Sequence, residues 1–299
     1  MSLRSNYPDQ FLATELPALD MLIFEEYERV PDHLGEIFRM EGIDGWGDQD
    51  LQMAGLKTPG QKDEGAAYEF DDPIEGYSKT YLPVEYALAT SFSEILLEDN
   101  KRNLVEDTYR SLGTGMYQVR QVAGFNIFNN GFADSGPDSA NLFSTSHTMI
   151  GGHTYANKPS TDIVLSKAGL QEMDVDMMRQ VNHRNIQISV IPEVLIVPPE
   201  LKQDALTLMG SPDDPSTANR AKNIYYGNYK VIISPFLTST TAWFVISNKV
   251  THKLKFRDRV MPSTKTWIDD KTGDVCTRMR CRFDVGYSDF IGTWGTDGV

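Results

Sequence analysis

Apolar positions recur with a helical period near the middle of this chain and with a strand period in its last third. Val105, Tyr109, Leu112, Met116, Val119 and Ala123 step by four and three residues in alternation. That spacing lays one apolar stripe along an α-helix. It predicts a helix over residues 91 to about 123, with Ser91 and Glu94 as a capping box at its start. A helix of roughly 30 residues spans about 45 Å, so a single stripe needs other material laid along it. Gly113 and Gly115 fall inside, each costing about 1 kcal/mol relative to Ala; they permit a close backbone approach or a bend.

Upstream, Phe11, Leu16, Leu19, Leu22, Ile23 and Phe24 anchor an acidic segment that runs to about Asp50. Its helical hint is confined to residues 19–27, and it reads as an arm that lies on something rather than folds alone. Residues 42–76 are rich in Gly, Asp and Glu, and a loop of that length is functional or disordered. Val84, Tyr86 and Leu88 then alternate like a strand, so residues 46–90 read as a projecting excursion with an extended return.

Downstream, residues 131–160 are loop-like. Ser166 is placed to cap a helix carrying Leu170, Met173, Met177 and Val181. Ile186, Ile188 and Val190 alternate as a strand, and residues 194–197 form a continuous apolar run between Pro192 and Pro198, the pattern of a buried strand. Leu201, Ala205 and Leu208 mark a short helix, residues 211–219 a polar loop, and residues 229–234 and 243–247 two more strands. Residues 166–248 thus form a mixed α/β block with its own core. In the closing segment Val250, His252, Leu254 and Phe256 alternate with polar residues. Residues 264–268 form a further strand after Pro262, and a turn at residues 269–274 predicts a hairpin. Val275, Thr277, Met279, Cys281 and Phe283 take one face of its second strand; Arg278, Arg280 and Arg282 take the other.

Composition changes this picture in two ways. The 299 residues suffice for two domains or one large irregular unit, and 40% hydrophobic with 23% charged residues is ordinary for a folded soluble chain. A net charge of −14 argues against wrapping nucleic acid through the whole surface. The charge is also uneven: residues 1–75 hold 18 acidic and 5 basic residues, a balance of −13, whereas residues 249–282 hold 10 basic and 4 acidic ones, a balance of +6. Opposite signs at the two ends suit contact between them, within or between subunits. The opening ten residues carry no apolar leader and no run is long enough to span a bilayer, so a cytoplasmic origin without a membrane partner is expected. Cys276 and Cys281, five apart on an extended strand, point to opposite faces about 16 Å apart. They neither bridge nor form a zinc site, and a reducing compartment is the simpler inference.

Catalytic signatures are missing from the sequence. It has no Walker loop, no strand–GxGxxG–helix unit and no Gly-x-Ser-x-Gly elbow. His147 and His153, with Asp162 downstream, read more simply as loop-packing residues than as metal ligands, and Ser144 or Ser146 beside His147 does not make a triad. No catalytic residue, cofactor or metal is assigned. The arginine face admits three readings: phosphate contact, pairing with the acidic arm, or a solvated face.

Several phrases carry a family likeness. Residues 76–81 (GYSKTY), 142–147 (LFSTSH), 192–201 (PEVLIVPPEL), 226–233 (YGNYKVII) and 283–290 (FDVGYSDF), in this order of elements, resemble the major capsid protein of tailed bacteriophages, the Hong Kong 97 type, with a Mu-like major head subunit. The resemblance implies an α+β fold: N-terminal arm over 1–45, extended β loop over 46–90, peripheral domain with the long spine helix over 91–165, axial domain over 166–248, and peripheral closing strands over 249–299. It implies a virion protein that self-assembles, as hexamers and pentamers, into an icosahedral shell enclosing double-stranded DNA on its inner face. A separate scaffolding protein, a portal and a cement protein would be further partners. Candidate intersubunit contacts are Lys57, Lys62, Tyr77, Lys79, Arg278, Arg280 and Arg282. An encapsulin-like compartment is the alternative on the same fold, and a soluble hydrolase the alternative of another class.

Overall fold

The computed structural model describes residues 16–93, 95–96, 102–213 and 222–298. The N-terminal segment folds as a helix, α1 (Leu16–Arg29), a helical turn, α2 (Leu34–Ile37), and a short strand, β1 (Arg39–Gly42). β2 (Asp48–Ala54) and β3 (Ile74–Tyr81) pair antiparallel as a projecting hairpin, with a break in register between Leu51 and Met53. β4 (Val84–Phe92) leads towards the long helix α3 (Arg102–Asn129) of 28 residues. After it come the two-residue strands β5 (His147–Thr148) and β6 (Thr154–Tyr155), helix α4 (Lys167–Met178), β7 (Pro192–Val197), helix α5 (Lys202–Gly210), β8 (Lys230–Ile233) and β9 (Trp243–Ser247). The chain closes with β10 (Leu254–Ile268), β11 (Val275–Tyr287) and β12 (Thr293–Thr296).

The stripe on α3 is buried as its spacing requires, at Val105, Tyr109, Leu112 and Met116, and Phe125 and Phe128 extend it beyond Ala123. The start of the helix needs correction. Ser91 does not cap it, because Ser91 lies on β4 opposite Cys276; Glu94 falls outside the described residues. The β4 alternation runs on to Phe92, whose buried ring stacks on Tyr109 at 5.9 Å. Strand pairing and the core therefore set this stretch, rather than a local cap. α1 lies along α3 and buries Leu19 and Ile23 in the shared core. Gly113 permits that approach: a Cβ there would sit 2.3 Å from the Ile23 carbonyl oxygen, while nothing stands within 4 Å of one at Gly115.

Two four-stranded sheets flank this axis. The first has the order β1-β10-β11-β4, with β1 parallel to β10 and the other pairs antiparallel. The turn between β10 and β11 is closed by Asp269 N–H donating to the Asp274 carbonyl at 2.9 Å. β10 passes through Pro262 because the register slips between Asp258 and Ser263, and a bulge relieves the missing donor. It begins at Leu254 rather than Val250, since a turn at Asn248 accepts the N–H groups of Thr251 and His252.

The second sheet, β12-β9-β7-β8, is covered on both faces. Ile196 and Phe244 point to the core built on α3, while Leu195, Val197, Trp243 and Val245 point to a second core with α4 and α5. Double-sided burial is why residues 194–197 are uniformly apolar. β12 joins this sheet from the far end of the chain, placing Trp294 against Trp243 at 4.9 Å. Ser166 caps α4, its Oγ accepting from the Gly169 N–H at 3.1 Å. The strand expected at residues 186–190 does not form. Asn182 Oδ1 accepts from the N–H groups of Arg184 and Ile186, both at 2.9 Å, and winds a turn in which Asn185 takes φ 59°. Among the described residues no helix is long and apolar enough to cross a membrane.

Candidate assembly surfaces

The acidic and basic ends of the chain do meet, at the root of the β2–β3 hairpin. β10 presents Lys255 and Arg257 two residues apart, and β1 and β2 bring Glu41, Asp48 and Asp50 to them. The Arg257 side chain is 3% exposed; it donates to Asp48 and to Asp50 Oδ1 (2.6 Å) and lies 3.2 Å from Glu41. Its guanidinium also sits 4.3 Å over the Tyr81 ring. Asp50 Oδ2 accepts from Lys255 and from Ser288 Oγ at 2.6 Å. Burial alone pushes the Asp50 carboxyl up, yet the Lys255 and Ser288 hydrogen bonds and the neighbouring cations outweigh it and hold it below the usual carboxylate range. The Tyr81 hydroxyl hydrogen-bonds Ser288 at 2.9 Å. Charge-assisted bonds of this kind fix direction as well as distance, so the hairpin leaves the body of the molecule from an anchored base. One step outward, Gln52 donates to Asp289 Oδ2 at 2.6 Å, an oxygen that also takes a 3.0 Å bond from His183.

Further out, contacts become sparse. Tyr77 donates its hydroxyl to the Thr148 carbonyl at 2.5 Å, and burial pushes that hydroxyl up from its ordinary value. At the tip, Lys57 pairs with Glu69 and Lys62 lies 4.8 Å over the Tyr68 ring. Arg184 reaches across from the turn after α4 to the carbonyls of Gly55 (3.1 Å) and Asp72 (2.6 Å), gathering the two ends of the tip. Residues 55–70 are exposed throughout.

Arg278, Arg280 and Arg282 share the outer face of β11, and within one subunit their described partners are not on the acidic arm. Arg280 lies 3.4 Å from Glu85 on β4, Arg282 Nε donates to the Pro83 carbonyl at 3.1 Å, and Arg278 Nε is buried without a hydrogen-bond partner. The arm meets Lys255 and Arg257 instead. Lys79 stands apart from both groups, lining a cavity of about 550 Å³ between β3, β4, the C-terminal half of α3 and β11. The sequence-assigned residues therefore occupy a hairpin and a separate sheet face rather than one site.

Sequence reasoning missed the hairpin root, although Asp48/Asp50 and Lys255/Arg257 are complementary pairs at strand spacing. It also missed Arg184, which no local pattern marks. His147 is buried: its Nδ1 bonds Asp138 Oδ2 at 2.6 Å, its Nε2 bonds Asn157 Oδ1 at 3.0 Å, and its ring stacks on Phe290 at 3.7 Å. Among the described residues no group of three or more His, Cys, Asp or Glu side chains is placed to hold a metal ion.

A family model described as phage capsid protein matches residues 76–294. No curated protein matches the chain. Among solved structures, it is similar to a virus-like particle from Pyrococcus furiosus (TM-score 0.59, 8% identity, 95% of this chain and 99% of that one). It is also similar to the capsid of Ralstonia phage GP4 (0.57, 12%, 88% and 87%) and to the capsid of bacteriophage JBD30 decorated with minor capsid protein trimers (0.55, 12%, 70% and 92%). At such identities the structures speak for the fold, while the family match runs from the hairpin's returning strand to β12. The chain belongs to the phage capsid protein family: it is a major capsid protein of the Hong Kong 97-like fold, a structural subunit that associates with its own copies in the virion shell.

Proposed function

We propose that this subunit closes an icosahedral shell of hexamers and pentamers around phage double-stranded DNA, acting by geometry and without catalysis. Residues 1–45 would serve as the arm and 46–90 as the extended loop. Residues 91–165 and 249–299 would form the peripheral domain, and 166–248 the axial domain at capsomer centres. A separate scaffolding protein, a portal and a cement protein complete the partners, and assembly takes place in the host cytoplasm. Lys57, Lys62, Tyr77 and Lys79 on the hairpin and Arg278, Arg280 and Arg282 on β11 are the proposed intersubunit contacts. On so acidic a chain, an arginine row tolerates packaged DNA without gripping it.

The observation that carries this reading is the hairpin tip, where Phe70 is 93% and Tyr68 78% exposed. Burying one such ring gains about 1.5–3 kcal/mol, which the isolated subunit forgoes and a neighbour supplies. Negative-stain microscopy and sedimentation of the full chain, alone and with its scaffolding gene, test it. Rings or shells are expected, with nuclease-protected DNA in phage-derived particles. Protein cargo in place of DNA supports the encapsulin-like alternative, and a monomer at micromolar concentration in both preparations overturns the proposal.

A further inference from the structure

We infer that the free edge of β4 receives residues 68–72 of a neighbouring copy's hairpin tip as a fifth strand of the closing sheet. The inference rests on the reading that the hairpin reaches over a neighbour, and it specifies where the tip lands. β4 is the outer strand of the order β1-β10-β11-β4, and its ladder with β11 runs from Phe92↔Val275 to Val84↔Phe283 without a break in register. Soluble proteins blunt such edges with lysine, proline or bulges. Residues 84–92 contain no Lys, Arg or Pro, and Glu85 is their one charge. Among the described residues, a nine-residue regular edge, about 30 Å long, is thus left open, with no strand paired to its outer side.

The two faces of that edge differ, and the tip matches both. On the outer face Ala87 and Ala89 stand opposite Arg280 and Arg278. Two methyl groups leave room for the arginines to reach across to whatever lies beyond, and Arg278 Nε is without a partner. On the inner face Tyr86 and Leu88 are 37% and 60% exposed. Residues 68–72 read Tyr-Glu-Phe-Asp-Asp. Laid as a strand, they put Glu69 and Asp71 on one side, about 7 Å apart like the two arginines, and Tyr68 and Phe70 on the other. The carboxylates then face arginines while the bare rings cover Tyr86 and Leu88. The existing Lys57–Glu69 and Arg280–Glu85 pairs are exposed and exchange at little cost. Asp71, which lies 3.5 Å from Arg184 and accepts from the Lys57 N–H at 2.8 Å, gives up these partners for an arginine of the receiving copy. Arg184 ties the tip's two ends beside its own residues 182–186, so the receiving edge is that of another copy.

The test uses the full chain, with Cys276→Ser to remove the neighbouring thiol. Asp71→Cys is combined with Ala87→Cys in one protein and with Ala89→Cys in another, covering the two registers, and assembled particles are oxidised. One of the two is expected to give a non-reducing ladder in steps of 33.6 kDa. Phe70→Ser and Arg280→Glu, both at surface positions, are each expected to cut particle yield at least tenfold. The melting of the unassembled subunit stays unchanged for Phe70→Ser and falls slightly for Arg280→Glu, whose carboxylate then faces Glu85. Glu69→Arg is expected to restore yield to Arg280→Glu. Parent-like assembly of both variants, or particles with no ladder in either register, overturns the docking site while leaving self-assembly standing. A parent chain that stays monomeric with its scaffold overturns both.

Discussion

Asp258→Ala should unfasten the long helix from the closing hairpin. Arg120, on α3, donates two hydrogen bonds to Asp258 at the first register slip of β10, at 2.6 and 3.1 Å. The side chains are 3% and 11% exposed, and the guanidinium packs 4.5 Å from Phe256 and 5.3 Å from Phe283. Removing the carboxylate strands a buried cation among aromatic rings. Its Nε already lacks a hydrogen-bond partner. Breaking one half of a buried pair costs about 3–5 kcal/mol, and the ring faces return about 1 kcal/mol of that to a cation. The expected loss of about 2–4 kcal/mol corresponds to about 4–8 °C in melting temperature for a chain of this size. Arg120→Met with Asp258→Ala removes both charges and should lie within about 1 kcal/mol of the parent. Circular-dichroism melting and urea unfolding of the unassembled subunit measure all three proteins. The reasoning fails if the single variant loses less than about 1 kcal/mol, or if the double variant is no better than the single one.

The two glycines of α3 should respond with opposite sign. Gly113→Ala pushes a methyl into the Ile23 carbonyl and destabilises the α1–α3 contact by more than 1 kcal/mol, whereas Gly115→Ala, with open space around it, stabilises by about 0.5–1 kcal/mol; thermal melts separate them. His252 is fully buried, and burial together with Lys249, Arg39 and Lys253 depresses its pKa to about 4. Its stabilising effect is therefore complete above the unfolded value near 6.5 and is lost as pH falls from there to about 4, by up to roughly 3 kcal/mol. His252→Leu should flatten the pH dependence of urea unfolding across that window, and an unchanged slope would refute the assignment. Cys276 should react with a thiol reagent in the folded subunit. Cys281, buried with its pKa raised to about 11, should react only on unfolding, and two fast thiols would contradict this.

Periodic patterns were legible wherever one element buries one face. The α3 stripe, the alternating face of β11 and the doubly apolar β7 all follow from spacing alone, because side-chain direction is fixed by backbone geometry. What escaped was decided by partners distant in sequence. Ser91 reads as a helix cap locally, but β11 claims it as a ladder residue. Ile186, Ile188 and Val190 alternate correctly, yet the Asn182 side chain turns the backbone before a strand can pair. The charge asymmetry announced that the two ends attract but did not say which arginines take part. Lys255 and Arg257 do so because β1 lies parallel to β10, whereas Arg278, Arg280 and Arg282 lie farther along the sheet. Arg184 carried no signal at all, since its partners, two backbone carbonyls and the Asp71 carboxylate, belong to a loop more than 100 residues away.

The register break between Leu51 and Met53 sits just beyond the ionic clamp on Asp48 and Asp50. A change in the hairpin's direction at this break must give up the Gln52, Tyr77 and Arg184 contacts that lie beyond it, while the clamp at its root stays shut.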